Sequence, residues 1–136
     1  MESWISPGLS GFWLVVGNLG EMSAHSIHHV TAVTAQIREN LRFYTEQLGL
    51  RLVKRSVNQD DVSAYHLFYA DAVGSPGTDM TFFDWPNIGY AQPGAGSVAL
   101  TSFAVPLESL DFWEERLGHA HPLREEDEAG NDRILF

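Results

Sequence analysis

Between Ile27 and Gly49 the apolar residues change their spacing once, and that change restricts the folds open to the chain. Residues 27–34, IHHVTAVT, are few and rich in β-branched side chains, which suit a strand. Ile37, Leu41, Tyr44 and Leu48 then recur at spacings of four, three and four, a single stripe along a helix. Gly49 stands where a left-handed helix cap belongs. Three more strand-like runs follow, LRLVKRSVN (50–58), AYHLFYA (64–70) and MTFFDW (80–85). They are separated by Asn58–Asp61 and VGSPGTD, both rich in turn formers, and Pro86 closes the last. The predicted order is β-α-β-β-β.

After a loop carrying Gly89, Pro93, Gly94 and Gly96, the order starts again. SVALTSFAV (97–105) predicts a strand and PLESLDFWEERLG (106–118) a helix, with Pro106 at its first position and Gly118 at its end. The run Glu125-Glu126-Asp127-Glu128 reads as a solvated loop, and RILF as the opening of one more strand. The chain is therefore expected to be α+β, with a first module over about 26–86 and part of a second over about 97–136, together forming a domain at 22–136. Residues 1–21 contain no Lys or Arg, and their apolar run Phe12–Val16 is too short to span a bilayer. They read as an extension, with Met22 as the expected start of the domain proper.

Composition narrows the function. Cysteine is absent, which excludes disulfides, thiolate nucleophiles and cysteine-held metal sites and fits a cytoplasmic setting. Eighteen acidic residues against eight basic ones give a formal charge of −10. Nucleic acids and anionic membranes are recognised through Lys- and Arg-rich surface, so neither is expected as a partner. No phosphate-binding loop, G-x-S-x-G elbow, H-E-x-x-H helix or dinucleotide fingerprint is present.

Chemistry is carried by the histidines. Side chains alternate along a strand, so His29 shares a face with Ile27, Thr31 and Val33, and His28 shares the other with Val30, Ala32 and Thr34. The two imidazoles are thus expected to do separate jobs. His66 lies on a face with Ala64, Phe68 and Ala70, either as a core histidine bonded to backbone or as a support behind a metal ligand. His119 and His121 bracket a helix exit, where they would cap carbonyls or face water.

The stretches IHHVTAVTAQIRENLRFYTEQLGLRLVKRSVNQDD, YHLFYAD, GSPGTDMTFFDWP and VPLESLDFWEERL occur in that order. Together they resemble the N-terminal part of ring-cleaving extradiol dioxygenases in the vicinal oxygen chelate superfamily, in the branch acting on hydroquinone-type substrates. The resemblance runs from about Ser26 to Leu117 and weakly on to Phe136. It implies paired βαβββ modules that curl into an open cup around a divalent metal, Fe(II) or Mn(II). It also implies that His29 ligates the metal and that His28 and Thr31 lie near the substrate, a small aromatic diol bound together with O₂. The remaining ligands, a second His and a Glu, lie beyond the matched region. The rival expectations are an inactive fragment and a metal-free module that binds a small aromatic molecule, enclosing it as a homodimer. In that module Phe68, Tyr69, Phe82, Phe83 and Trp85 would either line the cup or fill the core.

Overall fold

A computed structural model describes residues 12–15, 27–59, 62–92, 94–95, 98 and 100–136. Residues 1–11 and 16–26, Met22 among them, with Asp60, Asp61, Pro93, Gly96, Ser97 and Ala99, lie outside the described residues. In chain order the elements are β1 (Phe12–Val15), β2 (His29–Thr34), α1 (Ile37–Arg42), β3 (Arg51–Val57), β4 (Tyr65–Ala70), β5 (Asp79–Asp84), β6 (Thr101–Ala104), α2 (Leu110–Arg116), β7 (Leu123–Glu126) and β8 (Asp132–Leu135). They form two compact units, one built on residues 22–90 and one on 91–136 with the β1 segment. Among the described residues no helix is long and apolar enough to cross a membrane.

The first unit has the expected β-α-β-β-β order, closed into a four-stranded sheet in the sequence β2-β5-β4-β3. β2 runs parallel to β5, while β4 is antiparallel to both of its neighbours. At the helix start, the Thr34 hydroxyl accepts the Gln36 N–H at 3.0 Å. The helix is not regular to its end. Past Arg42 it widens into a π turn over Phe43–Gln47, in which the Leu48 N–H reaches the Phe43 carbonyl. Gly49, at φ 70°, then takes the left-handed conformation that its missing Cβ permits.

The helix stripe is also rotated from the expected one. Tyr44 and Leu48 are buried, but Ile37 and Leu41 are only half-buried, and Asn40 takes the inward position. A polar residue is tolerated there because its Oδ1 accepts the Tyr69 hydroxyl at 2.9 Å. Tyr44 stacks on Tyr69 at 4.8 Å and 16° and leans on Phe82 at 4.9 Å, with Met80 and Leu67 buried on the same sheet face. Burial lifts the Tyr44 and Tyr69 hydroxyls above the ordinary tyrosine range, so both stay neutral. Of the five aromatics expected to line a cup or fill the core, Tyr69 and Phe82 therefore belong to the core beneath the helix.

The second unit repeats this arrangement with a substitution in the chain order. Its sheet runs β6-β1-β8-β7. β1 lies parallel to β6 and antiparallel to β8, the two relations that β5 has to β2 and β4 in the first unit. The strand that residues 97–136 do not supply is thus taken from residues 12–15. Leu110, Leu117 and Ile134 form the buried core of this unit.

The acidic run is not one solvated loop. Its first half belongs to β7, where Glu125 sits opposite Arg133 of β8 and receives its guanidinium. Its second half is a tight turn. The Asp127 carboxylate accepts the backbone N–H groups of Ala129 and Asn131, each at 2.9 Å, and Gly130 supplies φ 83°. The Asn131 N–H holds the Asp127 carboxyl below the usual carboxylate range. Cross-strand pairing to Arg133 and turn bonding thus absorb charges whose clustering alone suggests a loop.

A proline in the middle of a strand removes a ladder hydrogen bond and is excluded from central positions. Leu14→Pro, between Phe103 and Ile134 in the register, is expected to destabilise the second unit by roughly 1–3 kcal/mol. Amide hydrogen exchange checks it. Protection should fall across Thr101–Ala104 and Asp132–Leu135 and persist across β2–β5, and unchanged protection in β6 and β8 would refute the pairing.

Candidate functional site

The face of the first sheet opposite Tyr44 carries the chemistry. The register sets His29 against Asp79, Thr31 against Thr81, and Val33 against Phe83. β4 continues these rows, with Phe68 opposite Thr81 and His66 opposite Phe83. Because paired residues share a face, His29, Thr31, Thr81, Phe68, His66 and Phe83 all project from one side. On that side His29 and Thr31 are exposed and His66 and Phe68 half-buried.

A line of polar atoms crosses three strands here. Thr81, fully buried, donates its hydroxyl to Thr31 Oγ1 at 2.9 Å, and His66 Nε2 lies 3.0 Å from Thr81 Oγ1. The His66 ring sits between Phe68 and Phe83, with centroids at 4.1 and 4.0 Å and tilts of 38° and 33°. Lys54 extends its ammonium over the Phe68 ring at 5.0 Å. Burial first, and then the charges of His29 and Lys54, lower the His66 pKa below its ordinary value. His66 is therefore a neutral imidazole near neutral pH.

His28 departs from the alternation expected of it. Strand pairing begins at His29, so the pleat does not fix the residue before it. The His28 carbonyl accepts the Gly77 N–H at 2.8 Å, and its ring turns toward His29. The two rings meet edge to face at 5.4 Å, with their Nδ1 atoms 3.2 Å apart. One Nδ1 must carry a proton and the other a lone pair for that contact to be a hydrogen bond. His28 Nδ1 also lies 3.9 Å from Asp79 Oδ2.

The residues present fit part of a metal centre. A facial site takes three ligands, whereas among the described residues no group of three or more His, Asp or Glu side chains is placed to hold an ion. His29 offers an exposed imidazole, with the His28 imidazole and the Asp79 carboxylate nearby, but these do not form a group placed to hold an ion.

His29, Thr31 and His66 are thus brought to one face, and His28 to its rim. His119 and His121 belong to the other unit, at the turn after α2, where His121 adopts φ 53°. Sequence reasoning missed Thr81 and Asp79. Their signal is positional, since a strand reads alike whichever strand it pairs with, and only the register puts Thr81 between Thr31 and Phe68.

Comparison with known proteins adds the following. Residues 26–133 match the family described as Glyoxalase/Bleomycin resistance protein/Dioxygenase superfamily. MhqA of Bacillus subtilis (strain 168), provisionally named a ring-cleaving dioxygenase, is 49% identical over 118 residues, covering 85% of this chain and 37% of MhqA. A chlorohydroquinone/hydroquinone 1,2-dioxygenase of Sphingobium indicum is 33% identical over 93 residues, covering 67% of this chain and 29% of that protein. A crystal structure of a provisionally assigned dioxygenase from Bacillus subtilis subsp. subtilis str. 168 superposes with a TM-score of 0.73 at 40% identity, covering 80% of this chain and 36% of that one. The chain thus spans about a third of the length of these relatives.

The lowered pKa of His66 makes a prediction with a definite sign. A histidine kept neutral by the fold but protonated when unfolded costs stability as pH falls below its ordinary 6.5. That loss is complete once pH has dropped below the lowered folded value. In an NMR titration the His66 ring should titrate below 6.5, and His66→Gln should remove part of the chain's acid destabilisation. Titration of His66 at or above the ordinary value would contradict the burial described.

Proposed function

Since this chain belongs to the Glyoxalase/Bleomycin resistance protein/Dioxygenase superfamily, we propose that it serves as the N-terminal portion of a ring-cleaving dioxygenase acting on hydroquinone- or catechol-like aromatic diols with O₂. The observation that carries the reading is the pairing of His29 and Thr31 on one open, aromatic-walled sheet face, in a chain 49% identical to MhqA over 118 residues. The domain reading goes with it, residues 22–136 holding a first module and part of a second, with residues 12–15 adding a strand to the second sheet.

In this proposal His29 is a ligand of Fe(II) or Mn(II), with the further His and Glu outside the described residues. His28, its ring against His29, is placed to exchange a proton with a substrate hydroxyl. Thr31 contacts the substrate one pleat further along the face. Phe68 and Phe83 offer ring surface for the aromatic nucleus. His66 supports this wall from between them. The described residues do not complete a metal site, so no step of ring cleavage is derived from them.

That incompleteness favours one second reading, a metal-free module that binds an aromatic molecule on the same face, as a homodimer or alone. Metal removal separates the two. Under the dioxygenase reading, Mn(II) titration followed by electron paramagnetic resonance shows weak binding, weakened at least about tenfold by His29→Ala, the loss of one neutral imidazole ligand, and unaffected by His121→Ala. Equal binding by the His29→Ala variant would remove His29 from the ligand set. Hydroquinone-induced thermal stabilisation that survives EDTA undiminished would favour the binding module.

A further inference from the structure

We infer that Lys54 is a specificity-determining residue of the face that bears His29 and Thr31, and that the ligand it selects is an aromatic diol carrying an anionic arm. The diol rests on the function proposed above; the placement of the ammonium does not.

That placement begins with a break in the register of β3. Leu52 pairs with Tyr69 and Lys54 with Phe68, so Val53 is left over as a β-bulge. In an unbroken strand Val53 would stand opposite Phe68, and Lys54 would turn to the face of Leu67 and Tyr69, which are buried beneath the helix. The bulge instead puts Arg51, opposite Ala70, and Lys54, opposite Phe68, on one face. Phe68 in turn stands opposite Thr81, and Thr81 opposite Thr31. A single row of Thr31, Thr81, Phe68 and Lys54 therefore crosses the four strands of the first sheet.

The ammonium is seated on that face. Lys54 Nζ stands 5.0 Å from the centre of the Phe68 ring, a favourable position for a cation. Its charge also acts on His66, whose pKa is lowered by burial, then by His29 and then by Lys54. Among the described residues Lys54 makes no ion pair, in a chain of formal charge −10. Arg51 is already engaged, donating to the Ala72 carbonyl. Across the sheet, Asp79 lies opposite His29 and 3.9 Å from His28. The face thus carries a carboxylate at its His29 end and an ammonium at its β3 end. A lysine that only guarded an exposed strand edge would need no particular face; here the bulge selects one.

Neighbouring strands lie about 4.8 Å apart, so roughly 10 Å separates Thr31 from Phe68. One aromatic ring with a short acidic arm bridges that interval, with hydrogen-bonding reach at either end. With a ring hydroxyl at Thr31, the arm is drawn toward Lys54 and repelled by Asp79, so charge sets the orientation as well as the preference.

Two measurements test it. The first needs no ligand. Lys54→Met should raise the His66 pKa in an NMR titration of the full chain. Arg55→Met, one residue along and opposite Leu67 on the other face, should change it less. An unchanged His66 pKa in Lys54→Met would take the ammonium off this face and overturn the inference. The second compares binding of 2,5-dihydroxyphenylacetate and its methyl ester, which differ by one charge, under argon. In Lys54→Met the ratio of their dissociation constants should move toward the ester by roughly threefold to fivefold, the worth of a partly exposed charge pair. Lys54→Arg and Arg55→Met should keep the wild-type ratio, the latter having lost the same net charge. A ratio unchanged in Lys54→Met, or moved equally in Arg55→Met, refutes the inference, and the proposed function then stands if hydroquinone itself binds. Binding of none of the three compounds refutes both.

Discussion

The stack of Tyr44 on Tyr69, with Phe82 against both, is the contact on which the rest of the first unit depends. Side chains alternate along a strand, so burying Tyr69 and Phe82 beneath the helix forces Phe68, Thr81 and Phe83 to the opposite face. A slip of one residue in either strand would turn every one of these side chains over. Aromatic pairs contribute about 0.5–1.5 kcal/mol beyond the area they bury, and the Tyr69 hydroxyl bonded to Asn40 adds a directional tie. The register is thus specified from the buried side, and the open side inherits it.

What the open side inherits is a row of functional groups too exposed to order themselves. Thr31, His29 and His28 are all exposed. Each is placed by backbone pairing rather than by packing: Thr31 by its partner Thr81, His29 by Asp79, and His28 by the Gly77 N–H bonded to its carbonyl. Thr81 is buried behind them, and His66 is half-buried against Phe68 and Phe83. Rigid support behind exposed polar groups lets a site bind with little loss of side-chain freedom.

Much of this was legible in the sequence. The change of period after Thr34, the glycine at position 49 and the turn residues between strands gave the β-α-β-β-β order, because local periodicity and turn chemistry are local facts. The shared face of His29 and Thr31 followed from alternation alone. Pairing was not legible. That residues 12–15 fill the middle of a second sheet depends on partners far away in the chain, and nothing in FWLV names them. The strand at Leu123–Glu126 was hidden by its charges, which are matched only once Arg133 lies across from Glu125. Asn40 lies off the expected stripe, and its burial depends on the partner that Tyr69 supplies. His28 escaped its expected face because alternation holds only where pairing has begun.

The central claim is that the open face bearing His29, Thr31, Thr81 and His66 is where an aromatic ligand binds. Amide chemical shifts followed during titration with hydroquinone test it most directly. The account predicts that the largest changes fall on His29–Val33, Thr81–Phe83 and His66–Phe68, with α1 little affected. Changes centred instead on Trp85–Ile88, or on the second unit, would contradict it.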